Sequence, residues 1–349
     1  MRSTRRVDAA LDLLVIPLLN GLASGLLLFM LSAGLTLIFG LMGVLNFAHA
    51  GFYLLGAYLG HSLAAAAGFG VALVAAPALA AGLGAVFERQ VLRHAGRDGH
   101  MPQLLVTFGL WTVMVEAVAL VWGRSPLPAQ APALLQGAAF TLLSSGDSGW
   151  RLVWGSAPAD ACAAAATACL QFPRTRLAII AVALLMLLAL AALWRGTRVG
   201  LVIQAALTHP AMTQALGHDV PRLFTAVFAA GCALAALAGV MGGVTFGTTL
   251  AMGDIGALVF AVVVIGGLGS ITGALAASLA VGLLHTLPLA VDASLADLLA
   301  SVGWSPPAAP ALRPLLRLSP AQLAPVLPFA LLVAMLVLRP RGLLGRRET

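Results

Sequence analysis

The sequence has few charged residues for its length. Of 349 residues, 61% are hydrophobic and only 9% are charged, and the mean hydropathy is +1.02. Soluble domains usually carry about 25% charged residues, so an ordinary water-facing globule does not fit this composition. We conclude that lipid is the solvent for most of the chain.

Lysine is missing altogether, because all 19 basic residues are arginine. A phosphate-binding P-loop requires a lysine, so the chain has no ordinary site for ATP hydrolysis, and a lysine Schiff base is excluded too. The serine-hydrolase motif G-x-S-x-G, the zinc motif HExxH and CxxC spacing do not occur. We therefore predict a non-catalytic chain that binds no cofactor or metal, and if ATP drives it, a partner must bind the ATP.

Only three cysteines are present. Cys232 lies in an apolar run and is expected to be a small buried residue. Cys162 and Cys169 share a polar segment and would share one face of a helix. A disulfide between them is possible if the segment is extracytoplasmic, because the cytoplasm keeps thiols reduced.

Long apolar runs dominate the rest of the sequence. A helix that crosses a bilayer needs about 20 mostly apolar residues. Since no segment shows strand alternation, we predict an all-α polytopic bundle, forming a single transmembrane domain over 1–349, with about eight spans and a re-entrant or broken helix. The predicted spans are 13–40, 51–67, 71–87, 103–122, 177–194, 223–243, 257–287 (broken by glycines at 266–270) and 322–338.

Arginine placement predicts the orientation of the bundle. Segments 88–102 and 195–222 and the C-terminal tail carry arginines and are expected in the cytoplasm, whereas 123–176 and 288–320 are expected in the periplasm. The basic N-terminal tail conflicts with this scheme, because three apparent spans separate it from 88–102. Either the tail is outside or one early segment does not cross.

Three separated stretches resemble one known family. The first contains NFAH at 46–49 followed by GAY at 56–58, the second covers 197–243, and the third covers 258–282 and is followed by LRPRGLLGR near the C-terminus. Together they resemble the branched-chain amino-acid ABC permeases, and the NFAH and GAY motifs are similar to the H-type subunit. The resemblance implies a bacterial inner-membrane permease for branched-chain or related amino acids.

The same resemblance implies partners for the chain. These are a homologous second permease, two cytoplasmic ATP-binding subunits that use the ATP, and a periplasmic substrate-binding protein, all assembled at the lipid bilayer. Nucleic acid is not expected, although the net charge is +7, because the arginines form short clusters between apolar runs. The alternatives are a permease for urea or short-chain amides, a stand-alone secondary transporter or channel, and a membrane-embedded enzyme, which would need a catalytic cluster.

Polar and glycine positions inside apolar runs are the candidate residues of the translocation pathway or gate. Unpaired polar groups in hydrocarbon cost several kcal/mol, so such residues face a cavity, a neighbouring helix or the interface. Asn46 and His49 either line the pathway or cap a helix break. Glu116 meets a substrate ammonium, pairs with an arginine from another helix or makes a structural hydrogen bond. The candidates are Asn46, His49, Tyr58, Glu116, Gly266, Gly267, Gly269 and Ser270.

Segment 197–220 is the candidate contact with the ATP-binding subunits. The resemblance implies a short cytoplasmic helix that docks on the ATPase, and the small residues of this segment would allow close contact. Pro210 is expected to kink the helix or to start a new turn. The alternative is a solvated connecting loop. The candidate docking residues are Arg198, Gly200, Ala205, Ala211, Ala215 and Gly217.

Overall fold

The predicted apolar runs form helices in the structure, a computed structural model of the chain. It describes residues 2–43, 46–95, 99–129, 131–145, 149–158, 162, 167–290, 294–301, 303 and 318–345. Most of the predicted loop 288–320 therefore lies outside the described residues. The described part agrees with the prediction of an all-α polytopic membrane protein.

Four long helices form the N-terminal half of the bundle. They are α1 (Arg2–Met42), α2 (Ala48–Ala67), α3 (Phe69–Phe87) and α4 (His100–Trp122). At its end, α3 continues through a wider π-helical turn at Glu88–Leu92 into Arg93–Ala95. The connection between α2 and α3 is Gly68 alone, whose φ of +91° is a conformation that glycine adopts without steric cost.

The C-terminal half contains more interruptions. Its helices are α5 (Arg174–Gly196), α6 (Arg198–Thr208), α7 (Pro210–Ala215), α8 (Val220–Phe246), α9 (Gly256–Gly266), α10 (Ile271–Thr286), α11 (Leu295–Ser301), α12 (Pro320–Leu323) and α13 (Leu327–Leu338). Two 3-10 turns, Leu250–Ile255 and Leu287–Ala290, precede α9 and follow α10. The glycines between α9 and α10 interrupt the predicted span 257–287, so this helix is broken as expected.

Six helical segments of the described chain are long and apolar enough to cross a membrane. They are Leu14–Met42, Phe69–Ala95, Met101–Trp122, Arg174–Gly196, Val220–Phe246 and Ile271–Ala290. Shorter apolar helices lie at Leu250–Gly266 and Leu327–Leu338. The 20-residue α2 is less apolar and is largely buried among the other helices.

The core of the bundle lies where α2 crosses α8, and small residues allow this close approach. A Cβ atom on Gly56 would lie 2.3 Å from the Cα of Ala236, and one on Gly239 would lie 2.0 Å from the carbonyl oxygen of Tyr53. Any larger side chain at either glycine would push the two helices apart. Cys232 of α8 is fully buried and unpaired, as its apolar surroundings predict.

A small antiparallel sheet lies within segment 123–176, so the prediction of helices alone is wrong there. Its strands are β1 (Ala138–Ser145), β2 (Gly149–Trp154) and β3 (Thr167–Pro173), in the order β2-β1-β3. Phe140 pairs with Trp154 on one side and with Phe172 on the other. The aromatic and β-branched content of β2 favours a strand, but strands this short leave little periodicity to detect.

Cys162 and Cys169 form a disulfide with a Cα–Cα distance of 5.7 Å. Cys169 lies in β3, so the expectation that the two cysteines share a helical face is wrong, although the bridge itself was left open by the sequence. Disulfides persist in oxidising compartments. The bridge therefore favours an extracytoplasmic location for the sheet, which remains a prediction.

Helix contacts define two ends of the bundle. α5 runs from β3 to α6, and its 23 residues separate the two by about 34 Å. Gly21 in the middle of α1, about 30 Å before its end, contacts Thr286 beside the turn Leu287–Ala290, whereas Leu41 near that end packs with Ile203 of α6. We call these the sheet end and the α6 end. The N-terminal tail thus belongs to the sheet end. This favours the alternative in which the tail is outside.

Candidate functional site

Two helices begin inside the bundle rather than at its surface. The His49 ring at the start of α2 contacts Leu31, which lies about three turns before the end of α1 and so about 16 Å from the α6 end. α9 begins beside it, because a Cβ on Gly256 would lie 3.1 Å from the Cβ of Ala50. Discontinuous helices near the middle of a membrane are a recurring feature of transporter binding sites.

A small opening lies where these two helices begin. Asn46 and His49 are the polar side chains that line it. Its remaining walls come from α1, from the start of α2 and from α9, and they include Leu31, Leu35, Val259 and Phe260. The nine lining residues contain no aspartate, glutamate or arginine, so the opening is apolar with one neutral polar pair.

Asn46 holds the start of α2 through its side-chain oxygen. Its Oδ1 accepts a hydrogen bond from the Ala48 N–H at 3.1 Å, and its carbonyl accepts from the His49 N–H at 3.2 Å. The Phe47 N–H donates to Thr107 Oγ1 at 3.4 Å. The side-chain Nδ2 of Asn46 is buried and has no hydrogen-bond partner. The Asn46 amide therefore uses its oxygen at the helix break, while its nitrogen stays unpaired.

His49 likewise uses only one of its two ring nitrogens. Its Nε2 lies 2.8 Å from the carbonyl oxygen of Leu31, and because a carbonyl only accepts, Nε2 carries the proton. In the neutral ring Nδ1 is then an acceptor, and it is buried without a partner. A Cβ on Gly34 would lie 2.9 Å from the ring carbon Cε1, so this glycine makes room for the imidazole.

Tyr58 and Glu116 lie away from the opening. Tyr58 is fully buried and packs against Trp122 with ring centroids 5.5 Å apart, and its hydroxyl has no partner. Arg124 Nη2 donates to Glu116 Oε2 at 2.7 Å, and both side chains are more than half exposed. Glu116 thus pairs with an arginine. However, Arg124 lies just after the helix that carries Glu116 and does not come from another helix.

The glycine run between α9 and α10 lies at the α6 end. The Leu343 and Leu344 N–H groups of the C-terminal tail donate to the carbonyls of Ile265 (2.8 Å) and Gly266 (3.1 Å). Gly267 has a φ of +100°, and a Cβ there would lie 2.6 Å from the Gly345 nitrogen. Gly269 packs near Gly40 of α1, and Ser270 caps α10 by accepting from the Gly273 N–H at 3.1 Å. These residues form a turn held by the tail and do not line the opening.

The docking residues predicted in α6 and α7 are mostly exposed. These are Arg198, Ala205, Ala211, Ala215 and Gly217. Gly200 is different, because a Cβ there would lie 2.1 Å from the carbonyl oxygen of Leu193. Its N–H donates to Thr197 Oγ1 at 3.0 Å. Gly200 therefore allows α6 to pack against the end of α5.

The sequence does not single out the large apolar side chains on α6, on α7 and just after α7. Met212 is 68% exposed and Leu216 is 80% exposed, and Val199 and Leu201 are also more than half exposed. We call these four residues the apolar docking surface. In the sequence these four residues are recognisable as large apolar residues within an otherwise polar segment. Only the structure shows that their side chains are exposed.

The sequence does not reveal a buried carboxylate at the α6 end, because Glu88 begins the segment 88–102 that is predicted to lie in the cytoplasm. Glu88 is 1% exposed, and its Oε2 accepts from Arg93 Nη2 at 3.2 Å and from Thr225 Oγ1 at 2.6 Å. Arg93 Nη2 also lies 2.7 Å from Thr225 Oγ1 and 2.8 Å from the Pro221 carbonyl. This Glu88 network joins the extension of α3 to the start of α8, directly after the α6–α7 segment.

The fold and the mid-bundle opening define a multi-pass α-helical membrane protein with discontinuous helices. Within the described ranges, no group of three or more histidine, cysteine, aspartate or glutamate side chains is placed to hold a metal ion. The family of the permease component of branched-chain amino acid transport systems matches residues 17–336, and the chain belongs to this family.

Individual relatives support the assignment along nearly the whole chain. The high-affinity branched-chain amino acid transport system permease protein LivH of Escherichia coli K12 is 26% identical over 346 residues, covering 94% of each chain. LivH of Salmonella typhimurium LT2 gives the same values, and the permease protein BraD of Pseudomonas aeruginosa PAO1 is 26% identical over 343 residues, covering 95% of each. No solved structure matches the chain.

Proposed function

We propose that the chain is the permease subunit of an ATP-driven importer of branched-chain amino acids in the bacterial inner membrane. The apolar docking surface at the α6 end carries the proposal for ATP coupling. Large apolar patches that are exposed on a water-facing surface mark contacts with other proteins. Because the chain has no lysine for a P-loop, the energy of ATP must reach it through such a contact.

The position of this surface suits a coupling element. α6 packs through Ile203 against Leu37 and Leu41 of α1, so a force on α6 reaches the helix that carries Leu31 and Leu35 of the opening. Two ATP-binding subunits would grip this chain and a homologous second permease at the α6 end. Their closing and opening around ATP would expose the opening alternately to the two sides of the membrane.

The remaining partner belongs at the opposite end. A periplasmic substrate-binding protein would deliver the amino acid at the sheet end, where the Cys162–Cys169 disulfide is compatible with an oxidising compartment. Arginines at the α6 end, including Arg89, Arg195 and Arg222, agree with a cytoplasmic location under the positive-inside rule.

Co-purification tests the docking surface. The double variant Met212→Asp, Leu216→Asp is expected to lose at least tenfold in the amount of ATPase that co-purifies in detergent, because two charges enter an apolar contact. Leu134→Asp is the matched control, since Leu134 is 85% exposed but lies near the sheet end. Retention of the ATPase by the double variant would contradict the proposed contact.

Transport in proteoliposomes tests the function itself. The complete set of subunits is expected to accumulate L-leucine only with ATP and the binding protein. Uphill uptake by this chain alone would instead identify a stand-alone secondary transporter. Uptake of urea or short amides in place of leucine by the complete assembly would identify the amide permease.

A further inference from the structure

We propose that the opening at the start of α2 is a transient binding site for the zwitterionic group of an aliphatic amino acid. In this site Asn46 Nδ2 donates to the substrate carboxylate and His49 Nδ1 accepts from the substrate ammonium. The inference rests on the proposed function and adds the residues and the substrate chemistry of its central step.

The first argument is the pattern of unused hydrogen-bonding atoms. Buried polar atoms are nearly always paired, and an unpaired one requires an explanation. Five buried side-chain atoms of the described residues have no partner, and two of them, Asn46 Nδ2 and His49 Nδ1, belong to the same opening. Each side chain uses its other polar atom to hold backbone, at Ala48 and Leu31.

The two unused atoms have complementary roles. The Ala48 N–H identifies the Asn46 oxygen, so the free atom is the NH₂ donor. The Leu31 carbonyl identifies the protonated ring nitrogen of His49, so the free atom is the acceptor. A ligand that carries an acceptor and a donor close together would satisfy both, and an α-amino acid has this arrangement in its carboxylate and ammonium.

The walls of the opening select among such ligands. Leu31, Leu35, Val259 and Phe260 present apolar surface beside the polar pair, as the largely apolar walls of small-molecule sites do. Urea or a short amide would pair with Asn46 and His49 but would leave the apolar walls uncovered. An aliphatic side chain would cover them, so we assign leucine-like substrates.

The field inside the opening favours the assigned orientation. α2 begins there, and the partial positive charge of a helix N-terminus stabilises a carboxylate. Asn46 lies two residues before the start of α2, on the side where the carboxylate is placed. Because neither polar side chain needs to be charged, binding is weak enough for the substrate to leave again, as translocation requires.

Two histidine variants separate the ligand role from the structural role. Glutamine places its amide nitrogen near the position of Nε2 and keeps the bond to Leu31, whereas asparagine places its amide near Nδ1 and loses that bond. We expect His49→Gln to lower the leucine imported per ATP hydrolysed by about tenfold, and His49→Asn to stay within about threefold of the wild type. The assay uses the complete assembly in proteoliposomes with leucine-loaded binding protein.

Asn46→Asp provides a second, independent measurement that decides the matter if the histidine variants do not assemble. It keeps an oxygen for the Ala48 N–H but replaces the free donor by an acceptor, so the import ratio is expected to fall at least tenfold. Ser278→Ala is the control, because it also removes a buried polar atom, whose bond is to Leu275 of its own helix away from the opening. Its ratio should equal that of the wild type.

The outcomes separate this inference from the function on which it rests. A normal ratio for His49→Gln together with a low one for His49→Asn would show that the ring only holds Leu31, and would overturn the site. A normal ratio for Asn46→Asp would overturn it as well. If the wild-type assembly imports no leucine with ATP and binding protein present, the proposed function fails first, and the site assignment falls with it.

Discussion

The opening and the Glu88 network are both buried polar clusters, but only the second is paired within the chain. Glu88, Arg93 and Thr225 bond to one another over distances of 2.6 to 3.3 Å. Asn46 and His49, in contrast, each keep one buried atom without a partner. A fully satisfied buried network stabilises a fold, whereas a half-satisfied one reduces its stability. The comparison therefore separates a cluster that holds helices together from a cluster available to a ligand.

The positions of the Glu88 network and the opening agree with this distinction. The Glu88 network ties α3 to α8 at the α6 end, beside the segment proposed to receive force from the ATPase. The opening lies about three helical turns deeper. A rigid joint at the first place and an adaptable surface at the second would allow movement to pass from α6 to the site without distorting the joint.

Removal of the buried carboxylate should have the largest effect on stability. Glu88→Ala leaves Arg93 and Thr225 without their common acceptor, so we expect the free energy of unfolding to fall by about 2–3 kcal/mol. Glu116→Ala is the matched control, since its partner Arg124 is 2.7 Å away but both side chains are largely exposed, and its effect should stay below about 1 kcal/mol. Unfolding of the purified chain in one detergent measures both, and equal losses would refute the distinction.

Thr225→Val should have an intermediate effect. The substitution keeps the shape of the side chain but removes the hydroxyl that donates to Glu88 and lies 2.7 Å from Arg93, at a cost of about 1–2 kcal/mol. Thr36→Val is the control, because the Thr36 hydroxyl bonds only to the Ser32 carbonyl of its own helix. The same detergent unfolding measurement applies. A loss at Thr36 as large as that at Thr225 would mean that the network adds nothing beyond a local hydroxyl bond.

Local sequence signals account for the features that the sequence predicts correctly. The apolar runs gave the long helices, and the glycines at 266–270 gave the break between α9 and α10, because both signals depend on neighbouring residues only. Asn46 and His49 were recognised because polar groups are rare in apolar runs. The sequence does not show which polar atoms of the two side chains stay unpaired, because the partner of His49 is Leu31, which is 18 residues away.

Other features depended on distant contacts and stayed hidden. Glu88 lies at the edge of an apolar run and looked like a loop residue, since its partner Thr225 is 137 residues away. The sheet was missed because its three strands have only six to eight residues each and acquire their stability from pairing across the segment. The exposure of Met212 and Leu216 follows from how α6 packs on α1, which no local pattern reveals.

Tyr58→Phe should have the smallest effect and sharpens the comparison most. The Tyr58 hydroxyl is buried and unpaired like Asn46 Nδ2, but it lies against Trp122 rather than in the opening. Removing an unsatisfied buried hydroxyl is expected to leave the free energy of unfolding unchanged or to raise it by up to about 1 kcal/mol. A clear loss of stability in the detergent unfolding assay would mean that the hydroxyl has a partner. If stability is kept but leucine uptake falls, Tyr58 belongs to the pathway as the sequence predicted, and an unpaired atom outside the opening would then also serve transport.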